Sequence, residues 1–190
     1  MSSNPIKRYS VKEYFEIEKA SDIKHEFVYG EIFAMVGASR NHIRITTNLT
    51  RRLEDQFDSS TCETLGSDTR IRTNDHLYRY ADVSVACNAQ FEVFEGLDSL
   101  INPILIAEIL SRSTARFDRD TKFREYQQIE SFRYYLLVAQ NEVLATLFTR
   151  QENNIWTSQN FTSLDDVINL PAINCKLIMR DIYLRVRFAN

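Results

Sequence analysis

Asp82 heads the β-prone run Val83-Ser84-Val85-Ala86, and Glu108 is the one acid inside the apolar run Ile104–Leu110. A carboxylate buried in such a strand without a partner costs several kcal/mol, so Glu108 needs a cation or a hydrogen-bond donor whatever its role. If the two strands are neighbours, the carboxylates converge, and like charges within ~4–6 Å raise each other's pKa unless a cation neutralises them. Mg²⁺ or Mn²⁺ answers that problem. These hard ions take carboxylate and carbonyl oxygens, here Asp82, Glu108, the backbone carbonyl of Ile109 and water. Such a site suits phosphodiester hydrolysis, because the ion acidifies a water and offsets charge building on phosphorus oxygens, and a nearby lysine adds stabilisation. The plainer reading gives Glu108 an ion pair with Arg70 or Lys122, Asp82 a strand-start role and Lys122 a place on a solvated helix face. From these residue types alone both readings stay open.

The elements that must position these residues follow from periodicity. Tyr9–Ala20 predicts a short helix capped by Ser10, an N-terminal arm over residues 1–20. Phe27–Tyr29 and Ile32–Met35 flank Gly30-Glu31, a hairpin signal. From Asn41 to Phe57, Ile45, Leu49, Leu53 and Phe57 recur every four residues, an amphipathic helix with Asn41 as its predicted N-cap. Strands at Thr61–Leu65, Thr69–Arg72 and Ala81–Cys87 are expected to pair as a meander before a looser segment, Phe91–Asn102. Ile104–Leu110 reads as a central strand covered on both faces. A helix over Asp118–Ile129 and a strand over Tyr134–Ala139 complete a β-α-β unit, with Ser111, Ser113 and Thr114 capping the helix. Val143–Thr149 with Ile155–Phe161 forms a further hairpin, followed by a short element at Leu164–Ile168 and an apolar stretch at Ile178–Phe188. The pattern is α/β, and the 190 residues suit one domain over 1–190.

Composition narrows the function classes. A hydrophobic fraction of 44%, with four Gly and three Pro, describes a packed globular chain. No apolar run approaches a membrane span and the N-terminus lacks a signal-peptide core, so no membrane role and a cytoplasmic location are expected. Cys62, Cys87 and Cys175 are odd in number, far apart and without a CxxC pair, which predicts buried thiols rather than a disulfide or a zinc site. A net charge of −3 argues against a surface that attracts nucleic acid everywhere. Basic clusters remain at Arg51-Arg52, Arg112–Arg124, and Arg180, Arg185 and Arg187, and such clusters are more often solvated faces than binding sites. No phosphate-binding loop, dinucleotide fingerprint or nucleophile elbow appears, so no small-molecule organic cofactor is expected.

The segments Tyr80-Ala81-Asp82-Val83-Ser84-Val85, Leu105-Ile106-Ala107-Glu108-Ile109-Leu110-Ser111-Arg112-Ser113-Thr114, Asp118, Lys122 with Tyr126, and Tyr134–Val138 resemble the Uma-type family of restriction endonucleases. His25-Glu26-Phe27-Val28-Tyr29-Gly30-Glu31 and His42 resemble that family's N-terminal signature. The resemblance runs from about Tyr9 to beyond Thr149, most of the chain. It implies a PD-(D/E)XK nuclease fold, a mixed central sheet flanked by helices, with metal-dependent DNA cleavage as the ancestral activity. Asp82 and Glu108 then correspond to the motif's two acids.

Two departures stand out. Ala81 replaces the motif's proline, and Leu110 stands where the catalytic lysine belongs. The family's helix lysine matches Lys122, which is inferred to reach back to the site. Glu31 is the next candidate acid. His42 is a possible auxiliary contact or merely a helix-start residue, and Tyr126, one turn beyond Lys122, orients it or packs. The expected activity is that of a Mg²⁺- or Mn²⁺-dependent endodeoxyribonuclease acting on DNA, with a homodimer convenient for cutting two strands. The alternative is a catalytically inactive nuclease-fold module for nucleic-acid binding or regulation.

Overall fold

The computed structural model describes residues 7–111 and 114–188. The expected capping role of Ser113 lies outside the described residues. Helix α1 (Val11–Ala20) starts as predicted at Ser10: the Ser10 hydroxyl accepts from the Glu13 amide, and the Glu13 carboxylate accepts from the Ser10 amide. Its buried Tyr14 and Phe15 pack on Phe27 and Tyr78. Strands β1 (His25–Val28) and β2 (Glu31–Ala34) form the predicted hairpin, and Gly30 turns it at φ +91°, where a side chain would be strained.

Helix α2 (Arg40–Glu54) buries the Ile45, Leu49 and Leu53 stripe. Its cap is Ser39 rather than Asn41, whose Oδ1 accepts from the Arg187 amide at 3.4 Å while its side-chain NH2 donates to the carbonyls of Gln140 and Arg187. Ser39 Oγ instead accepts from the His42 amide at 3.1 Å, which holds His42 in the helix's first turn.

Strands β3 (Cys62–Gly66), β4 (Arg70–Asn74), β5 (Leu77–Tyr80) and β6 (Val83–Cys87) do not form the expected meander. Instead, β4 and β5 join β1 and β2 in one six-stranded sheet with β7 (Phe91–Phe94) and β8 (Leu97–Leu100), ordered β2-β1-β5-β4-β8-β7. The other six-stranded sheet is β12-β11-β10-β9-β6-β3, built with β9 (Leu105–Leu110), β10 (Tyr134–Ala139), β11 (Ala145–Arg150) and β12 (Trp156–Phe161). The chain passes from one sheet to the other between Tyr80 and Val83, so Asp82 stands at the crossing. The segment expected to be loose is the β7–β8 hairpin, turned by Glu95 and Gly96 at φ +51° and +79°. Two successive positive φ values match the twist of the flanking strands.

Strand β9 lies parallel to β10 and antiparallel to β6, and every residue of β9 and β10 is buried, as their continuous apolar patterns predict. The crossover between them comprises α3 (Ala115–Phe117), a π-helical turn at Asp118–Lys122 and α4 (Phe123–Tyr126). The remaining chain forms a β13 (Val167–Leu170) and β14 (Cys175–Ile178) hairpin, then α5 (Met179–Ile182). Met179 and Ile182 pack into the same core as the α2 stripe.

The cysteine expectation is corrected. Cys62 and Cys87 face each other in the β3–β6 register and are joined by a disulfide, leaving Cys175 as the buried thiol. Antiparallel pairing brought together two residues whose sequence spacing carried no sign of it. Among the described residues no helix is long and apolar enough to cross a membrane.

Candidate active site

Strand alternation divides β9 between two cores. Leu105, Ala107 and Ile109 face the α2 side, while Ile106 and Leu110 face the crossover with Tyr126 and Tyr135. Glu108 shares the second face and is 4% exposed. Leu110, where the lysine of the motif is absent, is a packed core residue of that face.

Asp82 reaches the same place from the sheet crossing. The β6–β9 ladder ends at Val83 opposite Ala107, and beyond it the Asp82 carboxylate replaces a backbone acceptor: its Oδ2 accepts from the Ile109 amide at 2.7 Å. Its Oδ1 lies 2.7 Å from His42 Nε2 at the start of α2. Both oxygens of Asp82 are therefore oriented by the fold.

Lys122 comes from the π-helical turn, with Asp118 and Tyr126 four residues to either side and so on its own face. The Lys122 ammonium donates to Glu108 Oε1 at 3.0 Å and lies 3.4 Å from Glu26 Oε1 and 3.7 Å from Asp118 Oδ1. The Tyr126 hydroxyl donates to the same Glu108 oxygen at 3.2 Å. Behind them Arg79, 2% exposed, donates from Nε and Nη2 to the two oxygens of Glu125 and from Nη1 to Glu26 Oε2 at 2.6 Å. The Phe117 ring covers the guanidinium.

The electrostatics of this group are unbalanced. Glu26, Glu108, Asp118 and Glu125 pair with the permanent cations Lys122 and Arg79, and Asp82 adds a fifth carboxylate near Glu108. Burial pushes Glu108 up to about 8 against the pull of Lys122, with the negative charges of Asp82 and Asp118 adding to the rise. Burial likewise raises Asp118. For Glu26, burial is outweighed by Lys122 and Arg79, and its pKa is lowered. For Lys122, burial opposes its charge, but Glu108, Glu26 and Asp118 prevail, so it keeps its proton firmly.

Of the predicted residues, the structure brings Asp82, Glu108, Lys122, Tyr126 and His42 together. It does not bring Glu31 there. Glu31 sits at the turn end of edge strand β2, where its carboxylate pairs with Arg8 at 3.2 Å. The early acid in contact with Lys122 is Glu26, three residues before the turn in β1 and part of the N-terminal signature. Arg79 and Glu125 were also missed; an arginine within Leu77–Tyr80 looks like an edge-strand residue until its burial is known.

A divalent ion can be tested against these donors. Among the described residues no group of three or more His, Cys, Asp or Glu side chains converges to hold a metal. Asp82 and Glu108 nevertheless offer hard carboxylate oxygens beside excess negative charge. One or two carboxylates, completed by water and substrate phosphate, is the usual protein share of a Mg²⁺ site. The residues fit such an ion on those terms.

A mixed sheet with one acid, Glu108, in a central strand and a helical crossover carrying Lys122 defines an α/β fold. The crystal structure of "a putative nuclease belonging to DUF820" from Anabaena variabilis ATCC 29413 shares it, with a TM-score of 0.69 over 86% of this chain and 91% of that one at 15% identity. The family model described as "Putative restriction endonuclease", Uma2, matches residues 11–180, and the chain belongs to this family. Two similar proteins come from Synechocystis sp. (strain ATCC 27184 / PCC 6803 / Kazusa). Uncharacterized protein slr1290 is 32% identical over 98% of this chain and 97% of its own. Uncharacterized protein sll1609 is 38% identical over 67% of this chain and 73% of its own.

Proposed function

We propose that this protein is a Mg²⁺- or Mn²⁺-dependent endodeoxyribonuclease whose site is Asp82, Glu108 and Lys122. The observation that carries the reading is Glu108, held by the buried Lys122 ammonium and raised to about 8 by burial with Asp82 and Asp118 adding to the rise, beside an Asp82 carboxylate fixed on the next amide of the same strand. Asp82 and Glu108 are the residues that would hold the ion. When bound, a divalent ion supplies Lewis acidity toward a phosphate oxygen and an acidified water.

The chain's own groups do the rest. His42 and the Ile109 amide fix the Asp82 carboxylate, and Tyr126 fixes Glu108. Lys122 keeps its proton at neutral pH and presents a fixed ammonium to the charge that develops on the phosphorus oxygens. Glu26, rather than Glu31, is the additional acid that holds Lys122 in place. The protein is proposed to act in the cytoplasm, and a homodimer would place two such sites on a duplex.

The second reading, an inactive nuclease-fold module, draws on the absence of a three-ligand group among the described residues and on Lys122 already facing the acids. Plasmid and oligonucleotide cleavage with Mg²⁺ or Mn²⁺ separates the two. Cleavage lost in Asp82→Asn, Glu108→Gln and Lys122→Met supports the enzyme. DNA binding with no cleavage under either ion, or cleavage unchanged in all three variants, overturns the assignment.

A further inference from the structure

The arginines of α2 divide by position. Toward its C-terminal end Arg51 pairs with Asp55, and Arg52 with Asp55 and Asp181. At its N-terminal end neither Arg40 nor Arg44 has an ion pair or side-chain hydrogen bond among the described residues. His42, two residues from each, points to the opposite side of the helix, where its imidazole touches Asp82.

A second segment runs along the Arg44 face of the helix. Asn41, Arg44, Asn48 and Arg52 recur at helical spacing on one side of α2. The Asn48 amide donates to the carbonyls of Ile182 and Leu184, Asn41 donates to the Arg187 carbonyl at 2.8 Å, and Arg52 pairs with Asp181. The C-terminal stretch is thereby laid beside α2 with Arg187 next to Asn41. Arg185 and Arg187 are exposed, and their side chains have no partner among the described residues.

The outcome is a ridge of Arg40, Arg44, Arg185 and Arg187 without an ion pair among the described residues, on a protein whose net charge is −3. Unpaired arginines gathered against the overall charge are suited to an anion. The rise of about 6 Å from Arg40 to Arg44 is on the order of the distance between neighbouring phosphates of one strand.

We propose that this ridge binds the sugar-phosphate backbone of a nucleic acid. The inference rests on the nuclease reading and deepens it by naming a surface that adds affinity for the substrate. Guanidinium groups contact phosphate without reading sequence, so the ridge supplies affinity and register rather than a recognition code.

The test uses the full chain in EDTA, where metal-dependent cleavage cannot confuse binding, and reads fluorescence anisotropy of a labelled duplex and of the matching single strand across a salt series. Arg44→Gln/Arg187→Gln is expected to lower the slope of log K against log salt by about two, and each single substitution by about one. Lys12→Gln on α1, away from the ridge, should leave the slope unaltered. The strand form showing the larger loss identifies which backbone the ridge tracks. Equal slopes for the double variant and wild type, with unchanged melting temperatures, overturn the ridge, as does wild type that binds neither form. Reduced slopes together with no cleavage in Mg²⁺ or Mn²⁺ leave the ridge standing and overturn the nuclease reading instead.

Discussion

The Lys122 ammonium stands 3.0 Å from Glu108 Oε1, although the two side chains come from a π-helical turn and a central strand. This contact places a cation beside the strand acid even though Leu110 occupies the usual lysine position. Replacing Lys122 by Met is expected to lower the cleavage rate by about 10²–10³, the scale for one fixed electrostatic donor. Single-turnover cleavage by folded variant, checked by circular dichroism, measures it; a rate within a few-fold of wild type would refute the role.

His42 touches Asp82 at 2.7 Å. Groups that orient a metal-binding carboxylate or imidazole commonly carry about 10–100-fold in metal affinity. His42→Ala should therefore weaken Mn²⁺ binding by that factor in calorimetry. Unaltered binding would reduce His42 to a packing residue.

Arg79 neutralises Glu26 and Glu125 at once while almost wholly buried. Arg79→Met leaves both acids without their cation and should cost about 3–5 kcal/mol in urea unfolding. Adding Glu26→Gln and Glu125→Gln to the same chain should recover part of that loss, since the penalty lies in the uncompensated charges.

Glu108 and Glu26 shift in opposite directions, and their pH signatures differ accordingly. Glu108 has a folded pKa raised to about 8 from 4.5, so the folded state binds its proton more tightly than the unfolded chain. Its contribution is present below 4.5 and is lost as pH rises toward 8. Glu26 is lowered, so its contribution is present above 4.5 and is lost on acidification. In EDTA, wild type is expected to lose about 2–4 kcal/mol relative to Glu108→Gln between mildly acidic and mildly alkaline conditions. Parallel stability curves from urea titrations at several pH values would contradict the shift. Saturating Mn²⁺ should diminish the alkaline loss, because an ion bound to the folded state favours the ionised carboxylate.

The Cys62–Cys87 bond closes a sequence separation of 25 residues. On a chain-entropy estimate it stabilises the fold by about 3 kcal/mol. Reductant, or Cys62→Ser/Cys87→Ser, should lower the melting temperature by several degrees; the double variant should then be insensitive to reductant, whereas Cys175→Ala should respond to it as wild type does. An identical melting curve for oxidised and reduced wild type would show that the bond contributes nothing to stability.

Local pattern alone determined much of this protein. The four-residue apolar recurrence of α2, the Ser10 cap with Glu13, the Gly30 turn and the continuous apolar runs of β9 and β10 each depend on neighbours within a few residues. Asp82 and Glu108 were singled out for the same reason, as acids in apolar strands, whereas Lys122 came from the resemblance to the Uma-type family. Only the tertiary structure decided which groups those three meet. Strand pairing is nonlocal, so it sent β4 and β5 to a different sheet from β6 and placed Cys62 against Cys87. It also exchanged Glu31 for Glu26 as the acid at Lys122. The buried Arg79 fork belongs to the same class, because a charge in a strand reveals its partners only when the strands on either side of it are known.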